Sequence, residues 1–285
     1  MATPNTSLVT ETKKDMTIWV TGIGTFCLNR IAYLGEFAQF CISTILWLIW
    51  RKPRRETLFE SFYKIGVLSL PVVMLTGMFI GMVLAVQTYT QFKDLGLETM
   101  LGGVICLSLV RELGPVLAAT MLAGRVGSSI AAELGTMRVT EQIDALSSMG
   151  VSPIYYLAVP RFLACLILIP ALTIIADFMG VIGGTAYCVN ILGINEHHFW
   201  SNAESFVTAF DIFAGLLKSI FFGGAIALIS CHQGFTCDPG AEGVGKASTE
   251  SFVYSFVAIL FLDLVLAIFL DQINIYFGIS PSILK

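Results

Sequence analysis

Long, uninterrupted apolar runs dominate this sequence, and short polar segments separate them. A helix needs about 20 apolar residues to cross the hydrocarbon core of a bilayer. Because backbone polar groups in lipid must be satisfied internally, continuous apolar runs of this length predict helices. We therefore predict an all-α, polytopic membrane protein. Its five predicted spans are residues 65–92, 99–124, 162–194, 212–233 and 251–270.

The N-terminal region is harder to assign. Residues 16–50 are apolar and aromatic, but Arg30 and Glu36 interrupt them, and a basic cluster follows at 51–55. An amphipathic helix lying in the membrane interface fits this pattern best, and a sixth span is the alternative. The predicted organisation is a polar cytoplasmic tail (1–15), an interfacial region (16–62) and a transmembrane domain (63–285).

Basic residues are divided unequally between the two sets of connecting segments. The segments on the side of the basic cluster hold nine Lys and Arg residues: 51–64, 125–161 and 235–250. The opposite segments hold two: 93–98, 195–211 and 271–285. Positive loops stay in the cytoplasm, so we predict a cytoplasmic N-terminus and a periplasmic C-terminus. The polar first residues match neither a signal nor a transit peptide, which favours a bacterial inner membrane.

Composition agrees with a membrane location. Hydrophobic residues make up 56% of the chain and charged residues only 13%, against roughly 25% charged in soluble domains. A net charge of −4 gives no reason to expect nucleic acid as a partner. The seven cysteines lack metal-ligand spacing and are interpreted as packing residues. His197 and His198 are predicted to lie in an outside loop, and we expect this chain to bind no metal or cofactor.

Four charged residues fall inside predicted spans: Arg111, Glu112, Lys218 and Asp263. Such groups are costly in hydrocarbon, so they should face the bundle interior or a polar cavity. Arg111 and Glu112 are adjacent and point about 100° apart on a helix, so each needs another partner. They could bind a lipid headgroup, or they could form an ion-pair network that only fixes helix packing. Asp177 is interpreted as a packing or helix-capping residue.

Small residues recur four positions apart at Gly77 and Gly81, at Gly124 and Ser128, and at Gly180 and Gly184. This spacing lets helix backbones approach closely in lipid. We favour packing within the chain over a dimer interface for each pair.

A glycine-rich segment at 240–246 resembles the start of a phosphate-binding loop. The position after Lys246 is Ala247, so the hydroxyl that would bind Mg²⁺ is missing, and no strand is predicted before the segment. We interpret it as a flexible cytoplasmic loop. ATP would have to be hydrolysed by another polypeptide.

The polar stretch 125–150 contains a short amphipathic pattern at about 138–149. Thr140 is predicted to cap the N-terminus of this helix, with Glu141 in its first turn. Ile143 and Leu146 give it an apolar edge. A short helix between two spans could dock into a groove on a soluble partner, or it could simply connect the spans.

Several of these segments form one recognisable block. Its motifs are Arg111-Glu112-Leu113-Gly114-Pro115, Ala123-Gly124-Arg125-Val126-Gly127, Ala132-Glu133-Leu134-Gly135-Thr136-Met137 and Glu141-Gln142-Ile143-Asp144-Ala145-Leu146, with Ile80–Gln87 and Pro160-Arg161-Phe162 beside them. The block resembles the MlaE/YrbE family of ABC transporter permeases, which are associated with MCE-domain lipid carriers. The resemblance covers roughly residues 30–275.

The resemblance implies an interfacial helix followed by five spans in a homodimeric permease. It implies two cytoplasmic ABC ATPase subunits that hold the ATP and Mg²⁺, an MCE-domain carrier outside the membrane, and phospholipid as cargo. A small STAS-type cytoplasmic subunit is a further candidate partner. The coupling helix would comprise Thr140, Glu141, Gln142, Ile143, Asp144, Ala145 and Leu146. The lipid cavity would be lined by Gln87, Arg111, Glu112 and Lys218, with Tyr89 as a weaker candidate.

Two other functions remain open. An ion-coupled secondary transporter would use Glu112, Asp177 and Asp263 as a relay and would need no ATPase. A non-transporting anchor for an MCE protein would need none of the intramembrane charges.

Overall fold

The computed structural model describes residues 25, 28, 31–50 and 55–277. The predicted polar tail and most of the basic cluster therefore lie outside the described residues. Those that are described form helices joined by short turns, with no strand among them. The prediction of an all-α chain is confirmed.

Eleven helices follow one another along the described chain. They are α1 (Ile31–Trp50), α2 (Arg55–Ile65), α3 (Leu70–Asp94), α4 (Leu101–Ser108), α5 (Gly114–Leu122), α6 (Ser128–Val139), α7 (Gln142–Ser148), α8 (Val159–Asn190), α9 (Glu196–Phe206), α10 (Ala209–Phe235) and α11 (Ala241–Phe277). Short 3₁₀ or π turns connect α2 to α3, precede α4, and join α4, α5 and α6 into one continuous segment, Glu98–Val139. This segment contains the second predicted span, and we call it the second rod.

Among the described residues, six continuous helical segments are long and apolar enough to cross a membrane. They are Ile31–Trp50, Arg55–Asp94, Glu98–Val139, Ile154–Asn190, Ala209–Phe235 and Ala241–Tyr276. The last five match the five predicted spans, and four of them extend beyond their span at both ends, because helical hydrogen bonding continues past the apolar residues. The third span was predicted to residue 194, but its helix ends at Asn190, because the chain turns at Gly193 with a φ of +71°. We call these last five segments rods. Successive rods are antiparallel, so the bundle that they form has two ends, which we name after α7 and α9.

Helix α1 lies across the α7 end. Its Tyr33, Phe37 and Phe40 surround the His232 ring near the end of α10, with ring centroids 5.3–5.7 Å away. Fourteen residues later, Trp47 contacts Tyr155 just before α8, at 5.5 Å. Both contacts lie at the same end of the bundle, although about 21 Å of helix separates Tyr33 from Trp47.

The depth of these contacts follows from the pairing of α8 with α10. A Cβ on Gly224 would lie 3.6 Å from the Phe162 ring, so these two residues are at one level. Moving about seven residues towards the α7 end brings Tyr155 and His232 to one level as well. Contacts at one level are those of a helix that runs parallel to the membrane, which favours the interfacial interpretation of α1 over a sixth span.

Two of the three π turns stand immediately before prolines. The turn Leu109–Leu113 precedes Pro115, and the turn Ile154–Ala158 precedes Pro160. A proline has no N–H to donate to the carbonyl four residues earlier, so the helix must change its hydrogen-bond register there. Arg111 lies in the first of these turns, so its direction differs from that in an ideal helix.

Close contact between α3 and α8 organises one side of the bundle. Gly77 packs against the backbone of Ala176, where an added Cβ would lie 2.5 Å from the carbonyl oxygen, and Gly81 is still closer to Gly180. Gly124 packs near Phe252 of α11. The small-residue pairs are therefore used within the chain, as favoured from the sequence.

Two predicted loops are wrong. His197 and His198 lie in the first turn of α9, whose N-terminus is capped by the Asn195 side chain, and Phe199 anchors the helix with no exposed surface. The glycine-rich segment forms the first turns of α11 instead of a flexible loop. Gly240 has a φ of +94° just before it, and Lys246 pairs with Asp238 at 3.0 Å.

Candidate functional site

A cluster of charged side chains lies inside the bundle, where the second rod meets α10 and α11. Its centre is Lys218, whose side chain is only 1% exposed. The Lys218 ammonium lies 2.5 Å from Glu112 Oε2 and 3.0 Å from Asp263 Oδ1. Two carboxylates therefore compensate a buried cation, which is the arrangement that makes a charge tolerable away from water.

Arg111 forms the outer part of the same cluster. Its guanidinium pairs with Asp271 of α11 and lies 3.9 Å from Asp211 Oδ1 at the start of α10. Its Nε lies 4.0 Å from Glu112 Oε1, at the limit for an ion pair. Arg111 and Glu112 thus find their main partners elsewhere, as expected for neighbours that point in different directions.

Asp211 and Asp271 were not predicted to belong to the cluster. Asp211 is held in a capping box, where it accepts hydrogen bonds from the Thr208 N–H at 3.0 Å and the Thr208 hydroxyl at 2.6 Å. The Thr-x-x-Asp pattern was the available signal for this helix start. Nothing in the sequence pattern singles out Asp271, since its partner comes from 160 residues earlier in the chain.

Exposure separates the cluster into two groups. Lys218 and Asp211 are buried, at 1% and 6% side-chain exposure, and can only pair internally. Arg111, Glu112 and Asp271 are 31%, 40% and 54% exposed. With two cations and four carboxylates, the cluster presents both charges at its surface, so a zwitterionic headgroup could contact it. Lys218 itself is placed as an ion-pairing residue.

Gln87 and Tyr89 lie apart from these charges. Gln87 is exposed on α3, and Tyr89 packs beside the buried residues Leu101 and Phe199 near the α9 end. The Lys93 ammonium lies 5.5 Å from the centre of the Tyr89 ring. Within residues 55–277, no side-chain hydrogen bond or ion pair connects Gln87 or Tyr89 to the cluster. Their substrate-binding role stays a prediction.

Asp177 is in the middle of α8, so the capping interpretation is wrong and the packing interpretation fits. Its Oδ1 is buried against Gly114, where it has no hydrogen-bond partner among the described residues. In that part of the chain, no hydrogen bond links the Asp177 carboxyl group to Glu112 or Asp263. The described contacts do not join the three carboxyl groups into a relay.

The short helix α7 begins at Gln142, one residue after the start that a Thr140 cap would give. Thr140 does not cap it, because Thr140 ends α6 and its hydroxyl donates to the Thr136 carbonyl at 2.8 Å. Glu141 occupies the N-cap position with a left-handed φ of 59°. The tight reversal between α6 and α7 requires this conformation, which sequence pattern alone did not reveal.

The apolar edge of α7 faces the permease itself. Ile143 is buried and Leu146 is half-buried against the same core. Glu141, Gln142, Asp144 and Ala145 are exposed. The surface that a partner could contact is therefore this polar face, and the predicted docking edge holds α7 on the bundle.

The helical bundle and its compensated intramembrane charges define a polytopic α-helical membrane protein. The family model described as Permease MlaE matches residues 58–269, which contain α7 and most of the charge cluster. The chain belongs to the MlaE permease family.

Several bacterial proteins are similar to this chain. A probable ABC transporter permease protein of Rickettsia bellii is 41% identical over 84% of this chain and 92% of its own length. A probable ABC transporter permease protein of Synechocystis is 45% identical over 72% and 78%. The intermembrane phospholipid transport system permease protein MlaE of Haemophilus influenzae is 40% identical over 73% and 80%.

Proposed function

We propose that this chain is the permease subunit of an ABC-type transporter that moves phospholipid between the bacterial inner membrane and an MCE-domain carrier. The family match across both the charge cluster and α7 carries this proposal. The chain works as a homodimer, with the α7 end in the cytoplasm and the α9 end towards the periplasm. Helix α1 lies in the cytoplasmic interface of the membrane.

The exposed members of the charge cluster contact the lipid headgroup. Arg111 offers donors to a phosphate, while Glu112 can face a positively charged group on the same headgroup. Lys218, which is also paired with Asp263, forms an ion pair with Glu112 inside the bundle and so fixes the orientation of the Glu112 side chain. The permease therefore holds a polar headgroup beside helices whose other surfaces suit acyl chains.

The energy comes from separate ATPase subunits that bind ATP and Mg²⁺. They contact the polar face of α7, and a STAS-type subunit can join the assembly on the same side. Because Ile143 and Leu146 anchor α7 on the core that also contains the second rod, a push on α7 reaches the helix that carries Arg111.

Reconstitution tests the proposal as a whole. The chain, its ATPase and an acceptor MCE protein are combined in proteoliposomes that contain labelled phospholipid. Lipid transfer should require ATP hydrolysis and should stop without the ATPase. Transport by the permease alone, driven by an ion gradient, would contradict the proposal and support the secondary transporter.

Substitutions on the exposed face of α7 should detach the ATPase. Glu141→Lys and Ala145→Lys are expected to lower the amount of ATPase that co-purifies by about tenfold. The first reverses a charge on the face of α7 that the ATPase contacts, and the second adds a long charged side chain to that face. Glu204→Lys on exposed α9, at the other end of the bundle, is the matched control. Retention of the ATPase by both α7 variants would refute the assigned coupling helix.

Arg111→Ala should reduce the phospholipid that co-purifies with the complex several-fold, because it removes a charge-assisted contact worth about 1.5–3 kcal/mol. Asp271→Asn is the informative companion, because it removes the ion pair and leaves the guanidinium free for the lipid. Mass spectrometry of bound lipid should show a loss only for Arg111→Ala. Equal losses in both variants would indicate a packing role.

A further inference from the structure

A second group of charged side chains surrounds a cavity at the α7 end, well away from the cluster around Lys218. The cavity has a volume of about 460 Å³ and lies between α2, the second rod and the start of α8. Its charged lining residues are Glu60, Lys64, Arg125, Glu133 and Arg161. Three cations face two carboxylates, so one positive charge remains uncompensated.

The contacts identify Arg125 as the uncompensated cation. Lys64 Nζ lies 2.9 Å from Glu60 Oε1 and 2.8 Å from Glu133 Oε1, and Arg161 Nη2 lies 3.1 Å from Glu133 Oε2. Arg125 instead donates from Nη1 to the neutral hydroxyl of Ser69 at 2.6 Å. Within residues 55–277, no carboxylate lies at ion-pair distance from Arg125. Most of its five N–H donors remain available to the cavity.

The position of the cavity points to the level of lipid headgroups. Lys64 directly precedes the charge-free run 65–92, and Arg161, in the first turn of α8, directly precedes the predicted span 162–194. Two independent rods therefore change from polar to apolar at this cavity. A charge at such a boundary meets the phosphate groups of the adjacent leaflet.

The walls of the cavity suit an amphiphile. Ile65, Val126 and Ile130 supply buried apolar surface, and Leu68 is 46% exposed at the rim. Arg125 lies in the π turn Ala123–Gly127, which alters the course of the second rod at this point. A cation in a partly apolar cavity at headgroup depth matches a phosphate ester that carries acyl chains better than a free ion.

We propose that this cavity binds the phosphate of an anionic phospholipid from the leaflet at the α7 end, with Arg125 as its main ligand. The choice of phospholipid rests on the proposed function. The site is separate from the headgroup contacts at Arg111, since 14 residues of one continuous rod, about 20 Å, separate the two arginines. The permease therefore holds lipid at two depths.

Photo-crosslinking of the full chain in nanodiscs tests this site. One probe is a phosphatidic acid with a diazirine next to its glycerol, and the control probe is the matching diacylglycerol without phosphate. Crosslinks to peptides covering 57–68 and 156–161 should be about tenfold more frequent with the phosphatidic acid. Equal crosslinking by both probes would overturn the proposal without using any variant.

Variants then assign the effect to Arg125. Arg125→Gln should lower the cavity crosslinks about tenfold, Arg125→Lys should keep part of them, and crosslinks near Arg111 should not change. Lys246→Gln removes one exposed positive charge at the same end and should have no effect. An equal loss in Lys246→Gln would indicate general surface attraction and would overturn the site.

Two other occupants give different results. Displacement of the probe by millimolar inorganic phosphate would show a site for a free anion, and displacement by the bound ATPase would show a protein contact; either result refutes the lipid assignment. The proposed transport function fails on a different observation, the absence of ATP-dependent lipid transfer by the wild-type complex. The two failures are therefore distinguishable.

Discussion

Lys218→Met is expected to abolish ATP-dependent lipid transport and to lower the stability of the permease by about 3 kcal/mol. The substitution keeps the length of the side chain and removes the cation that lies between Glu112 and Asp263. Two carboxylates would then face each other inside the bundle without compensation. The thermal unfolding midpoint of the purified protein and lipid transfer in proteoliposomes measure the two effects.

A neutralised variant separates stability from lipid contact. The triple substitution Lys218→Met, Glu112→Gln and Asp263→Asn removes all three charges together, so no uncompensated ion remains, and stability should recover. Transport should stay absent, because the exposed carboxylate of Glu112 is gone. Full recovery of transport in the triple variant would show that these charges serve packing alone.

The matched control is Lys246→Met, which removes a lysine that is 59% exposed and pairs with Asp238 at the surface. Water screens an exposed ion pair of this kind, so this variant should behave like wild type. A similar loss in both variants would mean that total charge matters more than the buried pair, and the assignment of Lys218 would fail.

The rods were predictable because their cause is local. Twenty or more apolar residues in a row can only be accommodated in lipid as a helix, whatever they pack against. The ends of the rods were not predictable in the same way. Residues 125–139 are too polar for a span, yet they continue the second rod to Val139 because hydrogen bonding along a helix does not stop where the lipid stops.

The intramembrane charges were predictable as a group but not as pairs. Because a charged side chain is costly in hydrocarbon, Lys218 and Glu112 need partners. The turn of about 100° per residue argues against a direct pair between the neighbours Arg111 and Glu112. Which carboxylate meets which cation depends on how α10 and α11 are placed against the second rod. The partnership of Arg111 with Asp271 is therefore a tertiary property.

Turn chemistry accounts for the errors at the short helices. Thr140 looked like a cap because threonine favours that position, but Glu141 is the N-cap of α7, in the left-handed conformation, and Thr140 is the C-cap of α6. The apolar edge of α7 could equally have docked on a partner, because Ile143 and Leu146 can bury their surface against any apolar groove. The nearest groove belongs to the permease itself.

Gly81→Ala should lower the thermal unfolding midpoint by about 5–10 °C and reduce the folded yield, since the added methyl group would overlap the carbonyl oxygen of Gly180. No side-chain rotation can relieve this overlap, because the backbone fixes the position of the added Cβ and the carbonyl is itself a backbone group. Helices α3 and α8 must therefore separate. Gly245→Ala on α11 is the control: nothing lies within 4 Å of its added Cβ, and alanine favours a helix. A midpoint for Gly81→Ala within about 2 °C of this control would show that α3 and α8 are not held by backbone contact at Gly81, and that packing elsewhere along the two helices determines their separation.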